Sequence, residues 1–130
     1  MQSNVITGNA QIEAEKRWGW FIGDFMTPTD DLRSTSTVQV KWGVHAAGDG
    51  CSLWAAHSEA TSLSILIDGR FCLQFPHREV WLSRQGDYVL WSPGIAHSWF
   101  AEEASIVVMV RWPSKPGDYL TLVKDFPAGF

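Results

Sequence analysis

The chain has 130 residues, with 10 Lys+Arg against 14 Asp+Glu and a formal net charge of −4, a size that suits one domain with a real core. Hydrophobic residues at 45% and charged residues at 18% exclude a disordered composition, and the acidic balance excludes the basic footprint of a nucleic-acid binder. No apolar run approaches the roughly 18 residues of a transmembrane helix, and residues 1–17 lack the charged start and apolar block of a signal peptide, so a cytoplasmic protein with no membrane or nucleic-acid partner is expected.

Residues 1–17 are polar and read as an N-terminal arm, with a short helix over 10–17. Trp18-Gly19-Trp20-Phe21-Ile22 is too apolar to be exposed and suits core packing or the covering of a sheet edge across a dimer. Residues 38–45 alternate, with Val38, Val40, Trp42 and Val44 on one face. That apolar face is expected to take the core, leaving Lys41 and His45 together on the other.

Residues 62–67 and 105–112 are β-branched runs, while 71–75 and 80–82 alternate. Turn signals separate them: Gly48-Asp49-Gly50, Asp68-Gly69, Pro76-His77, Gln85-Gly86-Asp87 and Ser92-Pro93-Gly94. About nine short strands, paired antiparallel, predict a sandwich or barrel. The tail from Pro113 carries three prolines and two glycines, suits wrapping of the barrel or a partner, and contains a second candidate helix over 119–125. The layout is thus an arm (1–17), a β domain (18–112) and a tail (113–130). Cys51 and Cys72 lack a CxxC spacing and read as small buried hydrophobes.

Residues 49–69 and 86–97 each combine Gly-bounded turns with a histidine. On these segments the chain resembles the cupin superfamily. In the second motif of that family Gly86, Gly94 and His97 fall in register, with Pro93 displaced by one position. In the first motif, counting back from Gly69, the glutamate position is Ser62, the second histidine is His57 and the first histidine position is Ala55. The resemblance implies an all-β, single-domain cupin-type double-stranded β-helix (a jelly-roll barrel).

The resemblance also bears on chemistry. A metal-binding cupin holds a transition metal with imidazoles and a carboxylate, and this chain keeps only His57 and His97 of that set. A weakened or lost metal site follows, with no cofactor beyond a weakly bound divalent ion, for which His45 is the candidate third ligand and Glu59 and Asp24 are further carboxylates. Parity with His97 puts Trp99 on the lumen wall, Trp54 and Trp42 flank the first motif, and Arg111 lies opposite in parity to Trp112.

The candidate ligand-binding set is therefore His57, His97, Trp99, His45, Lys41, Arg111 and Trp54, with His57 and His97 also the candidate catalytic residues for acid–base work. The expected function is binding of a small molecule between histidines and aromatic walls. The alternative is a cupin-type enzyme (isomerase, lyase or metal-assisted) acting on a small polar or sugar-like metabolite. A homodimer is expected, two-fold pairs being the commonest oligomers. No nucleophile elbow or phosphate-cradling loop occurs.

Overall fold

The computed structural model describes residues 4–123, of which residues 120–123 are described by their backbone alone. The chain forms α1 (Ala10–Glu13), a 3-10 turn (Glu15–Arg17) and ten strands: β1 (Trp20–Ile22), β2 (Gln39–His45), β3 (Leu53–Ala56), β4 (Thr61–Asp68), β5 (Phe71–Phe75), β6 (Arg78–Leu82), β7 (Tyr88–Trp91), β8 (Ser98–Ala101), β9 (Ser105–Trp112) and β10 (Leu120–Val123). The hydrogen-bonded order is β1-β2-β9-β4-β7 in one sheet and β6-β5-β8 in another, with β10-β3 as a separate pair. The bridges Gly50↔Phe100 and Ala55↔His97 join β3 to the β8 side. The result is a double-stranded β-helix whose sheets remain separate, so the barrel is not closed.

Between the sheets, Leu66, Phe71, Leu73, Leu82, Trp91, Ala101 and Val107 form the core. They come from β4, β5, β6, β7, β8 and β9, on the inward parity of each strand, as period-two strands require. The turns use glycines where positive φ is needed: Gly69 at 104° turns the chain from β4 in one sheet to β5 in the other, and Gly86 at 93° precedes β7.

The alternation of β2 is present, but its direction is the reverse of the one expected. Val44 is 57% exposed, and Val40, Trp42 and Val44 lie on the outer face. Register explains this. Gln39, Lys41, Gly43 and His45 stand opposite Arg111, Met109, Val107 and Ser105 of β9, and the first three of those stand opposite buried Ser62, Ser64 and Leu66 of β4. The outer rows are apolar instead: Val40–Val110–Leu63–Leu90 and Trp42–Val108–Ile65–Tyr88. Gly43 makes room inside, since a Cβ there would come within 2.8 Å of His45 Nε2.

The chain ends also depart from expectation. The expected helix over 10–17 is split at Ala14, which is wholly buried. Trp18 is 83% exposed, at the end of the 3-10 turn with φ 53°, on the rim of the surface grooves and not in the core. Only Trp20 of that pair turns inward, opposite Lys41. The helix expected over 119–125 is a strand as far as Val123, because its β-favouring residues pair in register with β3 from Leu120↔Ala56 to Val123↔Leu53. Residues 124–130 of the expected tail lie outside the described residues.

Candidate functional site

One end of the interior holds a cavity of about 560 Å³ instead of packed apolar side chains. Trp20 of β1, Gln39 and Lys41 of β2, His57 beyond β3, Arg111 of β9 and Tyr119 before β10 contribute to its wall. Each arrives by a backbone pairing. Arg111 sits in the row Gln39–Arg111–Ser62, so the inward parity of β9 places a guanidinium where the rest of the strand places Val107 and Met109.

Arg111 has one side toward the cavity and one sealed. Its Nε is shut off from solvent and has no hydrogen-bond partner among the described residues; the same holds for Ser62 Oγ, Ser64 Oγ and His57 Nδ1. Orphaned buried polar atoms are costly and rare, and four of them face one another's strands here. The Arg111 guanidinium carbon lies 5.1 Å from the centre of the Trp20 ring, and Lys41 Nζ lies 5.7 Å from it. Both cations therefore rest against the same indole, a favourable but partial compensation for lost hydration. Burial pushes the Arg111 guanidinium down to about 10, against the pull of Tyr119 and Asp118, so it stays charged at neutral pH. Burial, and then the Arg111 charge, lower Lys41 from its ordinary value.

The motif histidines are fastened together. Ala55 and His97 exchange both backbone hydrogen bonds at 2.8 Å, and Gly94 N–H donates to the His57 carbonyl at 2.7 Å. The rings of His57 and His97 consequently stack, 5.8 Å apart and 18° from parallel. The Tyr119 ring lies 5.6 Å from that of His57, and the Trp91 ring lies 4.8 Å from that of His97. Burial is the main cause that pushes both imidazoles down to about 4. The Arg111 charge adds to it in both, and the Ile95 carbonyl, 3.2 Å from His97 Nδ1, works in the opposite direction. Both rings are neutral at pH 7.

The stretch after β9 straps this end of the molecule. Asp118 accepts from the Glu59 and Ala60 backbone N–H groups at 2.8 and 3.0 Å, and Lys115 pairs with Glu59. Together these contacts hold Tyr119 over His57. At the start of the stretch, Ser114 Oγ lies 2.5 Å from Asp24 Oδ1 and 2.9 Å from Gln39 Oε1.

The sequence candidates thus divide. Lys41, Arg111 and His57 line the cavity, with His97 stacked against His57. His45 and Trp99 are 4.5 Å apart and line a neighbouring groove that shares Lys41. Burial, then the Lys41 charge, pushes His45 down to about 4 against Asp49. Trp54 is buried at 7% exposure and lines neither space. Trp42 faces outward, and its Nε1 donates to Gln11 at 3.1 Å. Sequence reasoning missed Trp20, Gln39, Asp118 and Tyr119. Only the inward parity of Gln39 with Lys41 was available as a signal for any of them.

A transition metal does not fit the residues present. Among the described residues no three His, Cys, Asp or Glu side chains come together as a ligand group. The two imidazoles stack instead of converging, and the carboxylate position carries Ser62, which stands opposite the Arg111 cation. A divalent ion there would lack its anionic ligand and face a positive charge.

No family model and no curated protein matches this sequence. Solved structures do. A conserved double-stranded β-helix protein from Klebsiella pneumoniae is 20% identical, with a TM-score of 0.59 over 67% of this chain and 76% of that one. KdgF from Halomonas is 18% identical, with a TM-score of 0.56 over 62% and 74% of the two chains. The fold is that of the cupins. Within that fold, the DMSP lyase DddQ from Ruegeria pomeroyi is 16% identical, with a TM-score of 0.56 over 74% of this chain and 47% of that chain. The cupin fold is thus shared with enzymes and with proteins described only by their fold, and fold alone does not transfer an activity. Among the described residues no helix is long and apolar enough to cross a membrane.

Proposed function

We propose that this cupin-fold protein binds a small molecule in the end cavity without a transition metal. The supporting observation is the convergence on one cavity of Arg111, Lys41 and His57 with the flat faces of Trp20 and Tyr119. A concave site with aromatic walls and a few directed polar groups is how small-molecule sites are usually built. Among the described residues no carboxylate pairs with Arg111 or Lys41, so their cavity-facing donors are open to a ligand.

Elemental analysis of protein purified without a histidine tag tests the metal half of the proposal, with metal well below one equivalent as the expected result. A full equivalent that disappears in His57→Ala or His97→Ala would overturn it. A thermal-shift screen of small polar metabolites tests the binding half. Compounds that raise the unfolding temperature should lose that effect in Trp20→Ala, whose side chain walls the cavity. Stabilisation that persists in this variant would place binding elsewhere.

An enzymatic reading is favoured by one observation. His57 is neutral and lines the cavity beside Tyr119, as a general base would. Turnover of a bound compound that vanishes in His57→Gln, with binding retained, would support it over simple binding.

A second copy of this chain is the partner proposed for the outer face of the large sheet. Tyr88 at 66%, Leu90 at 54% and Val44 at 57% exposure put large apolar side chains on this face, and two-fold pairing buries such a face on both copies at once. Light scattering should give a dimer for the native chain and a monomer for Leu90→Glu. A monomeric native chain removes the proposal.

A further inference from the structure

The lining of the cavity has a sign opposite to that of the whole chain. The protein carries a net charge of −4. Yet Lys16, Arg17, Lys41, Arg111 and Lys115 line this one cavity, against Asp118 as its acid among the described residues. That acid is already occupied, since both its oxygens accept backbone N–H groups. Lys115 is paired with Glu59, and Arg17 Nε donates to the Trp20 carbonyl at 3.0 Å. Lys16 is exposed to water, which leaves Lys41 and Arg111 as the inward cations, with no carboxylate within salt-bridge distance of either in the described residues.

Two inward cations without counter-ions are costly in any fold, and each raises the cost of the other. Their position relative to the motif gives this a meaning. Ser62 occupies the place where the resembled motif has its glutamate, and Arg111 stands directly opposite Ser62 on β9. A ligand set that would have attracted a cation has lost its anionic member and faces a fixed guanidinium across the sheet. The charge requirement of the site is thereby inverted. A bound anion would satisfy Arg111 and Lys41, and neutral His57, which lines the cavity, can add a hydrogen bond.

Shape narrows the class. Both cations already lie over the Trp20 indole, and Phe25 and Tyr119 add further flat surface to the wall. A guanidinium prefers the planar two-oxygen face of a carboxylate. We infer that the cavity takes a small carboxylate with a flat apolar body, its carboxylate on Arg111 and Lys41 and its body against Trp20 and Tyr119. This rests on the metal-independent binding proposed above and specifies its ligand class.

The test uses three probes on the full chain, with binding read from chemical-shift changes of the tryptophan indole signals. Benzoate has the charge and the ring, benzamide keeps the shape without the charge, and acetate keeps the charge without the ring. Benzoate should bind most tightly, with benzamide weaker by about tenfold or more, the scale of a lost charged hydrogen bond. Arg111→Gln and Lys41→Gln should each remove most of that preference, while Arg111→Lys, which keeps the charge, should restore part of it. Added salt should weaken benzoate and leave benzamide unchanged. Equal binding of benzoate and benzamide to the native chain would overturn the charge inference and leave the pocket reading standing. Acetate as tight as benzoate would overturn the flat-body part. Absence of benzoate binding at millimolar concentration overturns the inference outright, and the metabolite screen with Trp20→Ala then decides the pocket reading separately. The unfolding temperature of each variant distinguishes lost binding from lost folding.

Discussion

The two faces of the large sheet follow opposite rules. Its outer face is apolar along whole rows, as in Val40–Val110–Leu63–Leu90, whereas the inner row beside it runs Gln39–Arg111–Ser62. A few residues further along the same strands, the inner face becomes conventional with Val107 and Leu66 in the core. One sheet therefore carries a packed end and a polar end on a single surface. Strand alternation specifies which residues share a face. What fills the space beyond that face decides whether it should be apolar, and here the polar end borders a cavity and not a core.

The largest expected effect separates the faces by pH. His45, His57 and His97 all lie on the inner side, and their folded values near 4 lie below the ordinary 6.5. The unfolded chain therefore takes up protons first as pH falls. Stability is fully present above pH 6.5, declines between 6.5 and 4, and levels off below that with respect to these groups. Each histidine should contribute on the order of 1–3 kcal/mol to that decline. Urea unfolding across this range should show it, and the His57→Gln variant should have a shallower slope. An unchanged slope would mean that His57 is as easily protonated folded as unfolded.

At the packed end, Leu66 is 1% exposed and belongs to the central cluster. Leu66→Ala should destabilise by about 2–5 kcal/mol. Leu63→Ala, three residues earlier on the same strand but on the outer face, should cost distinctly less. Similar losses at the two positions would show that the outer face is as tightly packed as the inner one, as a covering second copy would make it.

Asp118 tests the strap at the polar end. Removing its carboxylate in Asp118→Ala orphans the Glu59 and Ala60 N–H groups, of which Ala60 lies in a residue only 3% exposed. A loss of about 1–3 kcal/mol is expected, with weaker binding of any cavity ligand because Tyr119 is no longer held over His57. Calorimetric unfolding and titration with benzoate measure the two effects independently. Lost stability with unchanged affinity would make the strap purely structural.

The motif glycines and histidines were legible because turns demand them. Gly69, Gly86 and Gly94 all have positive φ, and the backbone exchange between Ala55 and His97 pairs the two motif segments. From this the fold and the proximity of His57 to His97 could be read. The direction of β2 could not, since Val40 and Lys41 alternate equally well with either one inside. Trp20 and Tyr119 were hidden for another reason. They come from opposite ends of the chain and reach the cavity through the long-range pairings of β1 with β2 and β10 with β3. No local pattern encodes such pairings.

Arg111 provides the smallest effect and the sharpest contrast with Leu66. Both point inward from adjacent strands of one sheet, yet one is made for packing and the other pays for its place. A buried guanidinium with an orphaned Nε is less well served by the folded state than by water, and replacing such charges with apolar groups of similar volume is often neutral or stabilising. Arg111→Met should therefore leave stability unchanged or raise it by up to about 2 kcal/mol, and Lys41 should move back toward its ordinary value because the neighbouring charge is gone. The same variant should lose benzoate. A gain in stability accompanied by a loss of binding is the signature of a residue kept for its ligand. A clear loss of stability in Arg111→Met would mean that the guanidinium supports the fold, and that the polar end of the sheet is a structural network in its own right.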